Sequence, residues 1–272
     1  MLKLRTSAKN SMRQRPPRPA AEVRPITGFQ RFLGWCVHAY TALGLVAAAL
    51  IAVLIVQGGP AAFRWCFILM ALATIVDSSD GALARKVRIK EVVPGFDGRR
   101  LDDIIDFLNY TFLPILLIWR AGLMPAGQEG WLILPLVASV YGFCQVNVKT
   151  DDGYFLGFPS LWNVVAFYLY VLPVGSWICL ATVVVLALLT FVPSKYLYPS
   201  QPGRLNATMT ILGVFWMIPL GWLVWSLPAA SSSQSDPARQ RLALVSLSYP
   251  IFYLAASWFI TLKHWSRQKP VG

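Results

Sequence analysis

Long apolar runs, separated by short breaks rich in Gly, Pro or charge, set the rhythm of this chain. The first apolar run extends from about His38 to Val56 and stops at Gln57, Gly58, Gly59 and Pro60. A second begins near Ala61 and continues past Val76 to Arg85; a third covers Leu101 to Arg120. Further runs occupy Trp131 to Val148, Leu161 to Leu172, Trp177 to Val192, Leu205 to Leu227 and Leu242 to Leu262. A spanning helix needs about 20 predominantly apolar residues to cross a hydrocarbon core about 30 Å thick. The pattern therefore predicts an all-α, polytopic membrane protein with about eight transmembrane helices. The fifth run is short unless Phe155 to Pro159 contribute. Residues 27–37, with Phe29, Phe32, Leu33 and Trp35 around Arg31, fit either a short interfacial amphipathic helix or an extension of the first span.

Composition agrees with the pattern. Of 272 residues, 56% are hydrophobic and 13% charged, about half the charged share of a soluble domain. The formal charge of +12 would suit an anionic partner, but no nucleic-acid-binding motif accompanies it. The Lys and Arg residues read instead as topology signals and contacts to anionic lipid. With eight spans and the N-terminus inside, 20 of the 24 Lys and Arg fall on the inner side. This orientation predicts both termini in the cytoplasm. Residues 1–26 form a basic, Pro-rich cytoplasmic tail without the apolar core of a cleavable signal peptide. Residues 27–272 form a single membrane domain. Among the four cysteines, Cys66, Cys144 and Cys179 lie in apolar runs and read as packing residues, and no zinc-ligand spacing appears.

Chemistry concentrates between Asp77 and Asp106, which hold seven of the twelve carboxylates. An ionisable group inside a spanning helix costs about 2.5–3.5 kcal/mol on insertion scales, so acids on two consecutive helices need a shared reason. Asp77 and Asp80 are three apart, with Gly81 and Ala84 on the same helical face; Asp102 and Asp106 are four apart. Two such pairs can face each other across antiparallel helices, and hard oxygen donors suit Mg²⁺ or Mn²⁺. Gly81 and Ala84 leave that face without bulk, and Arg85 offers a forked donor to phosphate. Asp103 points about 100° away and reads as solvated or paired with Arg99 or Arg100; Asp97 and Glu91 read as loop charge. A cation or proton transporter would also place acids in helices, but it needs polar groups across the midplane, where the later runs are apolar.

Asp77-x-x-Asp80-Gly81-x-x-Ala84-Arg85, followed by Gly98-x-x-x-Asp102-x-x-x-Asp106, resembles the signature of the CDP-alcohol phosphatidyltransferases. The match includes all eight motif positions in order. The twelve residues from Lys86 to Asp97 make a longer insert than most of that family carries, which resembles the bacterial phosphatidylcholine synthase branch. The resemblance implies a homodimeric enzyme of a bacterial inner membrane that moves a phosphatidyl group from CDP-diacylglycerol to choline and releases CMP; the charge pattern puts its active site on the cytoplasmic side. It implies two Mn²⁺ or Mg²⁺ ions on Asp77, Asp80, Asp102 and Asp106, with Asp106 also the general base. It implies nucleotide or phosphate contacts from Gly81, Ala84 and Arg85. His38 and Thr41, level with the acids on the first span, are either nucleotide contacts or ordinary helix-end polar residues. Another small alcohol such as serine is the alternative acceptor. Choline's quaternary ammonium is held by aromatic faces, and Tyr154, Trp162 and Asp152 are the candidate acceptor residues, in a region where interfacial aromatic belts are also ordinary.

Overall fold

The computed structural model describes residues 26–148, 150, 152–198, 204–228 and 236–267, so the expected basic tail lies almost wholly outside the described residues. Helix α1, Gly28–Gln57, absorbs residues 28–37 into one continuous rod; the separate interfacial helix does not form. Thr27 caps it: the Gln30 N–H donates to Thr27 Oγ1 at 3.2 Å, and the Thr27 N–H donates back to Gln30 Oε1 at 2.9 Å. Its inward stripe includes Gly34, Val37, Thr41, Gly44, Ala48 and Ile51, while Leu43, Val46, Leu50 and Val53 stand about half exposed on the opposite face. A helix apolar on both faces requires an apolar medium outside the protein.

Gly58 and Gly59, at φ 69° and 85°, take the left-handed backbone that the turn into α2 requires. Helix α2, Pro60–Val87, starts with Pro60 in its first turn, where the missing N–H costs nothing, and runs back along α1. Arg88 ends it in left-handed geometry, and a short helix α3, Ile89–Val92, follows. Asp97 then caps α4, Gly98–Asp106, by accepting from the Arg100 N–H at 3.2 Å. The helix widens into a π-turn over Phe107–Phe112 and resumes as α5, Leu113–Arg120. Pro114 has no N–H to offer the Tyr110 carbonyl one α-turn back, and the widened turn lies directly before it. Such turns cluster at functional sites; here it begins one residue after Asp106.

Helices α6 (Ile133–Cys144), α7 (Trp162–Val171), α8 (Ser176–Phe191), α9 (Arg204–Trp225), α10 (Pro237–Ser246) and α11 (Ser248–Arg267) complete the bundle. The chain is a mostly helical integral membrane protein. Among the described residues, four helical segments, Gly28–Gln57, Pro60–Val87, Leu205–Trp225 and Pro237–Arg267, are long and apolar enough to cross a membrane; Glu129–Cys144, Trp162–Val171 and Ser176–Phe191 are shorter apolar helices. With 10 residues, α7 reaches about 15 Å, half the hydrocarbon thickness. The core gathers Ile51 and Ile55 of α1, Cys66 and Phe67 of α2, Leu117 and Ile118 of α5, and Trp162 and Phe167 of α7. Cys66 and Cys179 are buried as expected of packing residues, but Cys144 ends α6 exposed.

Among the described residues, one element departs from an all-helical fold. The two loops after α6 and α8 contribute strands β1, Tyr154–Leu156, and β2, Lys195–Leu197, which pair antiparallel with Tyr154 opposite Leu197. Side chains of α11 satisfy the other edge of β2. The Lys195 N–H donates to Thr261 Oγ1 at 2.8 Å, the Leu197 N–H to Ser257 Oγ at 3.2 Å, and the Tyr253 hydroxyl to the Leu197 carbonyl at 2.9 Å. Tyr253, Ser257 and Thr261 recur every fourth residue, so one helical face closes the strand edge.

Candidate active site

The cleft forms where the end of α2 meets α4 and the inward face of α1. Thr41, Gly44, Asp77, Asp80, Asp102, Asp106, Asn109 and Tyr110 line it, with Ala73, Val76 and Ile105 as apolar walls. Close approach of α1 makes this possible. A β-carbon on Gly44 would stand 2.6 Å from Ile105 Cγ2, so only glycine lets α4 pack there. Asn109 locks the crossing, its Nδ2 donating at 3.0 Å to both the Gly44 carbonyl on α1 and the Ile105 carbonyl of its own helix.

Three carboxylates converge. Asp77, Asp102 and Asp106 each present an oxygen, and these atoms lie within 4.8 Å of one another. All three residues are partly buried, where like charges repel with little screening. A divalent cation removes that repulsion, and an all-oxygen donor set of this kind fits a hard ion such as Mg²⁺ or Mn²⁺. Asp80 is buried, 6% exposed, and lines the same cleft but stands outside the group of three. Asp103 is exposed, as its helical angle requires. Arg100 is drawn to Asp97 at 3.2 Å and Arg88 to Glu91 at 3.3 Å.

Gly81, Ala84 and Arg85 follow the acids on α2 and are not among the residues lining the carboxylate cleft. A β-carbon on Gly81 would meet only Arg85 Nη1, at 3.5 Å: the guanidinium lies back along the bare face of α2 one turn past the acids. Ala84 is partly exposed beside it. Thr41 lines the cleft, its hydroxyl donating to the Val37 carbonyl at 3.4 Å. His38 is placed differently. Its ring is buried against Phe96, with centroids 4.4 Å apart, and against Trp35 at 5.8 Å. A β-carbon on Gly98 would sit 2.6 Å from His38 Cε1. His38 and Gly98 thus dock the start of α4 onto α1, and neither lines the carboxylate cleft.

The acceptor candidates fall elsewhere. Asp152 pairs with Lys195 Nζ, and the same ammonium lies 5.2 Å from the centre of the Tyr154 ring. Trp162 is wholly buried, its indole N–H donating to Ser139 Oγ at 2.9 Å and its ring against Phe158; it offers no face to a soluble acceptor. None of the three lines the carboxylate cleft.

No family model matches the chain. Curated proteins do. The chain is 41% identical over 205 residues to a phosphatidylcholine synthase of Pseudomonas aeruginosa, covering 75% of this chain and 85% of the relative. It is 36% identical over 193 residues to one from Legionella pneumophila, covering 69% and 73%. A phosphatidylcholine synthase of Mesorhizobium japonicum is 34% identical over 210 residues, with 75% of each chain covered. The chain belongs to the phosphatidylcholine synthase family.

For a phosphatidylcholine synthase relative, the cleft contains two residues that the motif does not name. The Tyr110 hydroxyl donates to Asp77 Oδ2 at 2.8 Å, and Asn109 fixes the helix crossing. Tyr110 had a signal: it continues the four-residue spacing Asp102, Asp106, Tyr110 on one face. Asn109 had none, because its partner carbonyl lies 65 residues away on α1.

Proposed function

We propose that the chain transfers the phosphatidyl group of CDP-diacylglycerol to choline, giving phosphatidylcholine and CMP. The convergence of Asp77, Asp102 and Asp106 in one cleft, in a member of the phosphatidylcholine synthase family, is the observation that carries this reading. Asp77, Asp102 and Asp106, with Asp80 as a fourth carboxylate, would hold two Mn²⁺ or Mg²⁺ ions. Held there, such ions would neutralise the diphosphate and make CMP a better leaving group.

The chain's own residues supply the rest. Asp106 accepts the proton of the choline hydroxyl as that oxygen bonds to the phosphorus bearing the diacylglycerol. The bond from this phosphorus to the CMP oxygen breaks, and CMP departs with the electron pair. Arg85 adds positive charge beside the diphosphate, while bare Gly81 and Ala84 let the cytidine lie close to α2. Thr41 contributes a hydroxyl from the opposite wall. His38 acts one step removed, through its packing on Gly98. Tyr154, Asp152 and Trp162 stand outside the carboxylate cleft and take no direct part in this transfer.

The arrangement in the membrane completes the proposal. Residues 27–272 act as one domain with eight spans, both termini in the cytoplasm of a bacterial inner membrane, and two copies associating as a homodimer. The cleft then opens on the side where the nucleotide-linked substrate is made.

The test is a radiolabelled acceptor assay in membranes, supplying CDP-diacylglycerol and Mn²⁺ with choline, serine, glycerol phosphate or inositol in parallel. Choline-dependent phosphatidylcholine with matching CMP is the expected result. Product from another alcohol would retain the transfer chemistry and overturn the acceptor. Absence of CMP with every acceptor, from folded protein, would overturn the reaction class.

A further inference from the structure

The Tyr110 hydroxyl reaches from the π-turn to an oxygen of Asp77 on α2, at 2.8 Å. Tyr110 is also a wall of the carboxylate cleft.

The position of Tyr110 depends on the local backbone. The widened turn over Phe107–Phe112 changes the angle at which residues after Asp106 leave the helix. Asn109, beside Tyr110, is clamped to α1 and to Ile105, so the turn is held at both sides. A phenol carried on this fixed turn has little freedom left. Its bond to Asp77 restrains the carboxylate plane, which rotation about χ2 would otherwise leave broad.

We propose that Tyr110 is a positioning residue for the cation site: its hydroxyl fixes the Asp77 carboxylate in the orientation that faces Asp102 and Asp106, so that the donor set is preorganised before an ion arrives. The inference rests on the reading that these carboxylates hold a divalent cation. It adds a group outside the acidic motif that sets the ion's affinity without touching it, as hydrogen-bond partners of ligating groups do elsewhere.

The experiment measures Mn²⁺ binding directly, by electron paramagnetic resonance titration of the purified full-length chain without substrate. Asp77→Asn serves as the control for the site, and Tyr110→Phe and Tyr110→Ala separate hydroxyl from ring. Thermal midpoints in EDTA report the fold of each variant. Tyr110→Phe is expected to weaken Mn²⁺ binding about tenfold, to leave the EDTA midpoint near wild type, and to match Tyr110→Ala in affinity. Wild-type affinity in Tyr110→Phe, whether or not Tyr110→Ala is impaired, would reduce the residue to packing and overturn the inference alone. Wild-type protein that binds no Mn²⁺ would overturn the cation reading and this inference with it.

Discussion

The His38 ring occupies the space that a β-carbon on Gly98 would need: that carbon would stand 2.6 Å from His38 Cε1. The contact seats the first turn of α4 against α1, one turn before Asp102. Gly98→Ala must therefore push α4 away from α1, with an overpacking cost of about 1–3 kcal/mol. Turnover and thermal midpoint should both fall. Adding His38→Ala to Gly98→Ala removes the overlap and should recover part of both; an additive double variant would show that the two side chains do not couple.

Asp106 is expected to carry the proton. Asp106→Asn should lower CMP release by about 10²–10⁴-fold with folding preserved, as judged by size-exclusion profile and thermal midpoint. Near-wild-type transfer by this variant would remove Asp106 from the role of base.

Divalent cations should be required. EDTA is expected to abolish transfer, and added Mn²⁺ or Mg²⁺ to restore it. Asp77→Asn and Asp102→Asn should each reduce turnover by about 100-fold or more. Asp80→Asn discriminates further, since Asp80 stands outside the close group. A smaller loss of Mn²⁺ affinity than in Asp77→Asn would assign it to a second ion or to the substrate side of the cleft.

The loop pairing makes a prediction about pH. Hydrogen bonding from Lys195, and after it from Thr150, holds the Asp152 carboxyl below its usual range. A carboxyl whose folded pKa is depressed adds stability above its unfolded value, near 3.9, and loses it as pH falls through the folded value. Lys195 is well covered, its side chain 11% exposed against 54% for Asp152, and partly exposed pairs are worth about 0–1 kcal/mol. Asp152→Asn should therefore destabilise the protein by no more than about 1 kcal/mol. The difference from wild type should stay flat between about pH 5 and 8 and shrink only below about pH 4. Urea melts or thermal melts across that range provide the measurement.

Much of the cleft was legible because its residues are local in sequence. Asp77 and Asp80, and Asp102 and Asp106, declare their shared faces through helical spacing alone. Asp103 was readable as an outward residue for the same reason. The loop residues were not. Tyr154 and Trp162 look alike as aromatic residues near a membrane edge, yet one faces Lys195 on a strand and the other is sealed in the core against Ser139. Burial depends on what packs over a residue, and nothing nearby in the chain records it.

The sequence alone determined the helical, membrane-embedded character, the order of the helices and the carboxylate pairs, because hydrophobic runs and i, i+3, i+4 spacings are properties of short segments. Only the tertiary structure decided that Asp77, Asp102 and Asp106 close into one group while Asp80 stands beside it. It also decided that His38 serves Gly98 and that Tyr110 reaches Asp77. It joined two polar loops as a strand pair against α11. Each of these relations joins residues far apart in the chain, and the angle and separation at which two helices cross is fixed by the small side chains where they touch, here Gly44 and Gly98.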